Sequence, residues 1–114
     1  MEMKVEKSVS IEDGEHKGVI TAIEYRTEPY KYTDIVIKDD KTGFELKYGC
    51  PTNASENSKL MLCVGEFADI TPGITVDVDG ILIDRKVKFM TLQENKDGKK
   101  FVRIVSGSVK PLEE

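Results

Sequence analysis

The 114-residue chain has no tryptophan, a single histidine, two cysteines and four prolines, and aromatic residues make up only 7% of it. Each scarcity excludes something. One histidine leaves no cluster of imidazole ligands, and neither a Gly-x-Ser-x-Gly elbow, a phosphate-cradling glycine loop nor a His-Glu-x-x-His pair occurs, so the common hydrolase, nucleotide-binding and metalloprotease signatures are missing. His16 stands alone at the start of a strand-like run and is expected to be solvated, not an acid, base or ligand. Cys50 and Cys63 lack Cys-x-x-Cys spacing and are expected to be buried free thiols. No apolar run approaches the roughly 18 residues of a membrane span. The start, Met1-Glu2-Met3-Lys4-Val5-Glu6-Lys7, has no apolar stretch of a secretory signal, so a cytoplasmic protein with no membrane partner is expected. No enzyme, no metal and no cofactor is expected.

What remains is 39% hydrophobic and 33% charged residues with a net charge of −4, the balance of one soluble domain over residues 1–114. Its ends, 1–12 and 109–114, carry little periodic signal and are expected to be flexible, with an edge strand as the alternative for the first ten. The acidic balance disfavours coating duplex DNA by bulk charge but permits a local basic patch.

Along the chain, period-2 alternation dominates. His16 to Arg26 is rich in β-branched residues, and Gly18 sits where a first strand could bend sharply. Thr27-Glu28-Pro29-Tyr30 breaks that strand, and Tyr32 to Asp39 resumes with Ile35 and Ile37 on one face. Asp39-Asp40-Lys41-Thr42-Gly43 reads as a hairpin into Phe44 to Cys50, with Phe44, Leu46 and Tyr48 sharing a core-facing side. After Pro51, either Asn53 with Glu56 or Ser55 with Ser58 is placed to cap a helix. Leu60, Cys63, Val64 and Phe67 then follow at i, i+3, i+4 and i+7, a stripe about three turns long, while Met61 and Leu62 fall off it and are expected to be exposed. Ile74, Val76 and Val78 read as a half-buried strand with a bulge at Gly80 and a continuation through Ile81 and Ile83. Asp84-Arg85 turns the chain, and Lys86 to Gln93 pairs with Phe101 to Val105 across Asn95-Lys96-Asp97-Gly98. This order predicts a mainly β fold: a small OB-like antiparallel barrel with one short helix between strands 3 and 4, whose stripe, ending at Phe67, plugs one open end.

Asp77 and Asp79 share a strand face in this reading and, with Gly80, resemble the start of a calcium loop. Such a loop needs a glutamate six residues after its glycine, where this chain has Lys86, so no metal site is assigned. Single strands are held by aromatic platforms interleaved with cations, and in an OB-like barrel they lie across strands 2 and 3 and the flanking loops. Those places hold Arg26, Tyr30, Lys31, Tyr32, Lys38 and Lys47, with Arg85, Lys86 and Lys88 at the later loop. The alternative is that the tyrosines cover a barrel end and the lysines solubilise strand faces; Asp34 and Glu45 dilute the patch. Two functions therefore stay open: a non-enzymatic module binding single-stranded DNA or RNA, or a protein-interaction module, including a homodimer, using Met61 and Leu62.

The run Pro51-Thr52-Asn53-Ala54-Ser55-Glu56-Asn57-Ser58-Lys59-Leu60, followed by Gly65 and by Gly73-x-x-Val76-x-Val78, resembles the phage and archaeal OB-fold proteins of single-stranded-DNA-binding type. In those, a strand ends in a proline, a Ser-Lys-Leu helix follows, and a glycine-led strand comes next. The resemblance covers roughly residues 16–105 and implies an OB-fold and a role beside replication or recombination. The chain departs from it at the ligand face, which has few aromatics, no tryptophan and several acids.

Overall fold

A computed structural model describes residues 1–3 and 11–112. The first strand organises everything else. β1 (Gly14–Arg26) pairs antiparallel with β2 (Tyr32–Asp39) along Gly18 to Arg26, and with β4 (Lys86–Lys96) along Gly14 to Val19. Its two halves thus belong to different pairings that overlap only at Gly18 and Val19. Gly18 makes the overlap possible, because a Cβ there would lie 2.4 Å from the Lys38 carbonyl oxygen. A register shift between Ile20 and Ala22 adds a bulge, which steepens the local bend.

β3 (Glu45–Pro51) pairs with β2, and β5 (Lys99–Ile104) pairs with β4 across the two-residue turn Asp97-Gly98, both of whose residues have positive φ. The resulting antiparallel sheet runs β3-β2-β1-β4-β5, with β6 (Lys110–Pro111) pairing β4. It is not closed by a ladder between its edges. One side chain reaches across that gap: the Tyr48 phenol oxygen on β3 accepts the N–H of Gly107, just after β5, at 2.9 Å, while Lys59 Nζ, from the segment that links β3 to β4, donates to the Gly49 carbonyl on the β3 edge at 2.8 Å. The Lys59 ammonium also sits 4.5 Å from the Tyr48 ring centroid, so one cation satisfies an edge carbonyl and covers an aromatic face.

The expected fourth strand does not form. Residues 74–77 are irregular and Val78–Leu82 is a short helix, α2, capped by Asp77, whose carboxylate accepts the Gly80 N–H at 3.1 Å. Capping outweighs the alternation of Ile74, Val76 and Val78, and Val78, Ile81 and Leu82 pack at helical spacing. Gly80 is therefore no bulge, and the partner of β1 is Lys86–Lys96. Two helices, not one, link β3 to β4.

The first of them, α1 (Lys59–Gly65), is shorter than the stripe suggested, and its cap is Ser58, whose Oγ accepts the Met61 N–H. Asn53 instead accepts the Ser55 N–H in the preceding turn, and its carbonyl takes the Ser58 hydroxyl. Leu60, Cys63 and Val64 enter the core as expected, but so does Met61, only 5% exposed, while Phe67 is half-buried at the rim. Met61 lies beneath residues 54–56 and 70–76, which cover the side of α1 away from the sheet. Leu62 alone stays out, 59% exposed.

The core gathers the inward side of every long strand, through Ile20, Ile35, Ile37, Tyr48, Cys50, Val87, Phe89 and Ile104, against both helices. Ile11 is buried beside β4, and Val109 is buried with β6 following it, so much of the C-terminal stretch expected to be flexible is built into the sheet. Residues 4–10 and 113–114 of the expected flexible ends lie outside the described residues.

Two measurements check this packing. Met61→Ala should cost about 2–5 kcal/mol in chemical denaturation and be at least as damaging as Phe67→Ala. Burial pushes the Cys50 thiol up to about 11 and the Cys63 thiol up to about 12, so at neutral pH both are protonated. Neither should react with a thiol reagent until the protein unfolds.

Candidate nucleic-acid interface

Residues directly opposite in an antiparallel pair share a face, so the register sorts the side chains. Ile23, Ile35 and Tyr48 form one cross-strand row and Ile20, Ile37 and Leu46 another, both facing the core. The rows between them face outward: Arg26, Tyr32 and Pro51; Glu24, Asp34 and Gly49; Ala22, Val36 and Lys47; Val19, Lys38 and Glu45. Four of the sequence-predicted residues, Arg26, Tyr32, Lys38 and Lys47, thus stand on one continuous surface. Lys86, opposite Val19 on the other side of β1, extends the last row onto β4.

The loop between β1 and β2 supplies Tyr30 and Lys31 at the end of that surface. Tyr30 is 72% exposed, and the Lys31 carbonyl accepts the Thr52 N–H, which fixes the backbone there. Arg85 does not join them. By parity it falls on the core side, and its guanidinium lies 5.4 Å from the Phe67 ring centroid, covering the end of α1.

The charges on this surface are largely answered from within it. Arg26 forks onto Asp34, Nε to Oδ2 at 2.6 Å and Nη2 to Oδ1 at 3.0 Å, and its Cζ sits 5.1 Å from the Tyr32 centroid. The hydrogen bond to Asp34 raises the Arg26 pKa further above its ordinary value. Asp34 is only 3% exposed although it points away from the core, because Arg26 and Tyr32 close over it. A Cβ on Gly49 would come within 3.2 Å of Asp34 Oδ1 and 3.5 Å of the Tyr32 ring, so glycine leaves the room this cluster occupies. Lys47 pairs with Glu24 at 3.0 Å. Lys38 faces Glu45 in register and makes no ion pair among the described residues.

Chemically, the surface offers a guanidinium held flat by a carboxylate, an adjacent phenol ring and an exposed tyrosine on the loop. Those groups suit stacking on planar, electron-rich partners. They are poorly suited to gripping phosphates by charge, since two of the cations already hold carboxylates. The diluting effect of acids was legible in the sequence; the depth at which Asp34 is held was not, because it depends on side chains from two neighbouring strands.

Asp77 and Asp79 serve α2. Asp77 caps it, and Asp79 accepts the Tyr25 hydroxyl at 2.8 Å; burial and this bond push the Tyr25 phenol up to about 12. Among the described residues, no group of three or more His, Cys, Asp or Glu side chains is placed to hold a metal ion.

His16 is not solvated. Its Nε2–H donates to the Glu12 carbonyl at 2.6 Å, Nδ1 lies 3.1 Å from Asp39 Oδ1, and the ring stacks on Phe89 at 5.7 Å. Both ring nitrogens thus have polar partners. Glu12 also receives the Thr91 hydroxyl, so His16 pins the chain before β1 to the sheet. Its role is structural.

No family model matches the chain, and no curated protein matches it. No helix among the described residues is long and apolar enough to cross a membrane.

Asp39 sets an acid limit on the fold. Burial alone would raise its pKa, but hydrogen bonds from the Thr42 hydroxyl and N–H, together with His16, hold it below the ordinary 3.8. A depressed carboxylate contributes stability that is fully present above the unfolded value and disappears as pH falls through the folded one. Wild-type stability measured by urea denaturation should fall as pH drops from about 5 to below that ordinary value, and Asp39→Asn should flatten this acid limb.

Proposed function

We propose that the protein is a non-enzymatic module that binds single-stranded nucleic acid on the outer face of a curled, OB-like sheet. The fold half of this reading rests on β1 pairing on its two sides with β2 and β4, and on the approach of edges β3 and β5, the arrangement of a partly open five-stranded barrel. The observation that carries the functional half is the gathering of Arg26, Tyr32, Lys38 and Lys47 on that outer face, with exposed Tyr30 at its end.

Because the Arg26 and Lys47 charges are already paired, the bases contribute more at this end of the face than the phosphates do. Each stacked base contributes about 1–3 kcal/mol. The resemblance of residues 51–60 to single-stranded-DNA-binding proteins agrees with the reading and suggests a role beside replication or recombination. The competing interaction surface loses ground, since Met61 is buried and Leu62 alone remains exposed.

Titration of a fluorescently labelled oligo(dT) at low salt tests the proposal. Wild-type protein should raise the anisotropy, and Tyr30→Ala should weaken binding by about 1–3 kcal/mol, roughly five- to 150-fold. A flat anisotropy up to about tens of micromolar protein removes the reading, because electrostatic help is greatest at low salt.

A further inference from the structure

The register places three lysines in a single line. Lys17 on β1 is directly opposite Lys88 on β4, and Lys88 is directly opposite Lys110 on β6. Adjacent strands lie about 4.8 Å apart, so the three side chains leave the sheet as close neighbours. Like charges directly opposite are destabilising, and here the clash occurs twice in succession. All three residues are exposed, and none of their ammonium groups makes an ion pair or hydrogen bond among the described residues.

Several other cations are held within the protein. Arg26, Lys41, Lys47 and Arg103 each have a carboxylate partner, as expected in a chain with 21 acidic and 17 basic residues. Three facing ammonium groups, with Glu15 beside Lys88 and Lys110 but paired to neither, favour an anion from outside.

Parity fixes the face from which an anion can reach it. His16 opposite Phe89 and Gly18 opposite Val87 face the core, so Lys17 and Lys88 face outward. They stand on the same surface as Arg26, Tyr32 and Lys38. The next outward row, Lys38, Val19 and Lys86, joins the two regions. One continuous face therefore carries a stacking cluster with answered charges at one end and unanswered charges at the other.

We propose that Lys17, Lys88 and Lys110 are the phosphate-binding track of this face, holding the phosphodiester backbone of a single strand whose bases stack near Tyr30, Arg26 and Tyr32. This rests on the single-strand reading and divides the labour within it. Charge-based affinity resides on β1, β4 and β6, while β2 and the β1–β2 loop receive bases.

The salt dependence of oligo(dT) affinity separates the two claims. For single strands, log K falls against log salt with a slope near −0.7 per phosphate neutralised. The variant Lys17→Gln/Lys88→Gln/Lys110→Gln should therefore lose about 2 from the magnitude of that slope and bind about tenfold or more weakly at low salt. Arg103→Gln, which removes a guanidinium already held by Glu94, should leave the slope nearly unchanged. Relief of the like-charge row should keep the thermal midpoint of the triple variant at or above that of wild type. If the triple variant fails to fold, Lys88→Gln alone, the middle of the row, should lower the slope by about 0.7. A wild type that binds, with variants whose slope does not move, overturns the track and leaves strand binding standing. A wild type that does not bind overturns both.

Discussion

The structure depends on the close approach at Gly18. There the backbone of β1 comes so near the Lys38 carbonyl that no side chain fits, and this lets one strand serve two pairings that diverge. Ile20, just beyond, exchanges backbone hydrogen bonds with Asp84 and Arg85 rather than continuing along β4, so the loop leading into β4 is tied to the bend itself. Any larger residue at this point would have to push β2 away from β1, and the inward rows of Ile20, Ile35, Ile37 and Val87 would lose their common centre.

Around that bend, the two sides of the sheet deal with buried charge in matching ways. On the core side, Asp39 gathers His16 and Thr42 and thereby holds the segment before β1 in place. On the outer side, Asp34 gathers Arg26. No buried side-chain nitrogen or oxygen among the described residues lacks a partner. Carboxylates so placed fix the rotamers of their partners, because a displaced Arg26 or His16 would strand a desolvated anion. The planar groups on the outer face are thus held in position by the fold itself.

How much of this could be read from the sequence depended on how local the deciding interaction was. Alternation alone located β1, β2 and β3, and Asp97-Gly98 gave the last hairpin, since both signals lie within a few residues. The segment from Ile74 to Val78 misled because alternation and capping competed there, and a single hydrogen bond from Gly80 to Asp77 decided in favour of helix. Met61 was misjudged because the stripe showed which side of α1 meets the sheet but not that the loop around Ile70 and Val76 covers the other. Within the candidate site, Arg26, Tyr32, Lys38 and Lys47 were chosen from where an OB-like barrel holds its ligand, and strand register then puts them on one face. Lys17 and Lys110 carried no mark at all, because their neighbourhood with Lys88 arises from strand pairings between distant parts of the chain.

The two side-chain bonds at the β3 edge, from Lys59 and to Gly107, have a meaning beyond holding the sheet in its curl. An edge strand with vacant carbonyls and amides is a template on which another chain can add itself, and proteins guard such edges with lysines or with covering segments. Here the guard is Lys59, whose ammonium occupies the Gly49 carbonyl, reinforced by the Ser106–Gly107 turn drawn against Tyr48. Lys59 is the first residue of α1, so its reach is set by the Ser58 cap. The start of one short helix thus protects the exposed rim of β3 against runaway self-assembly.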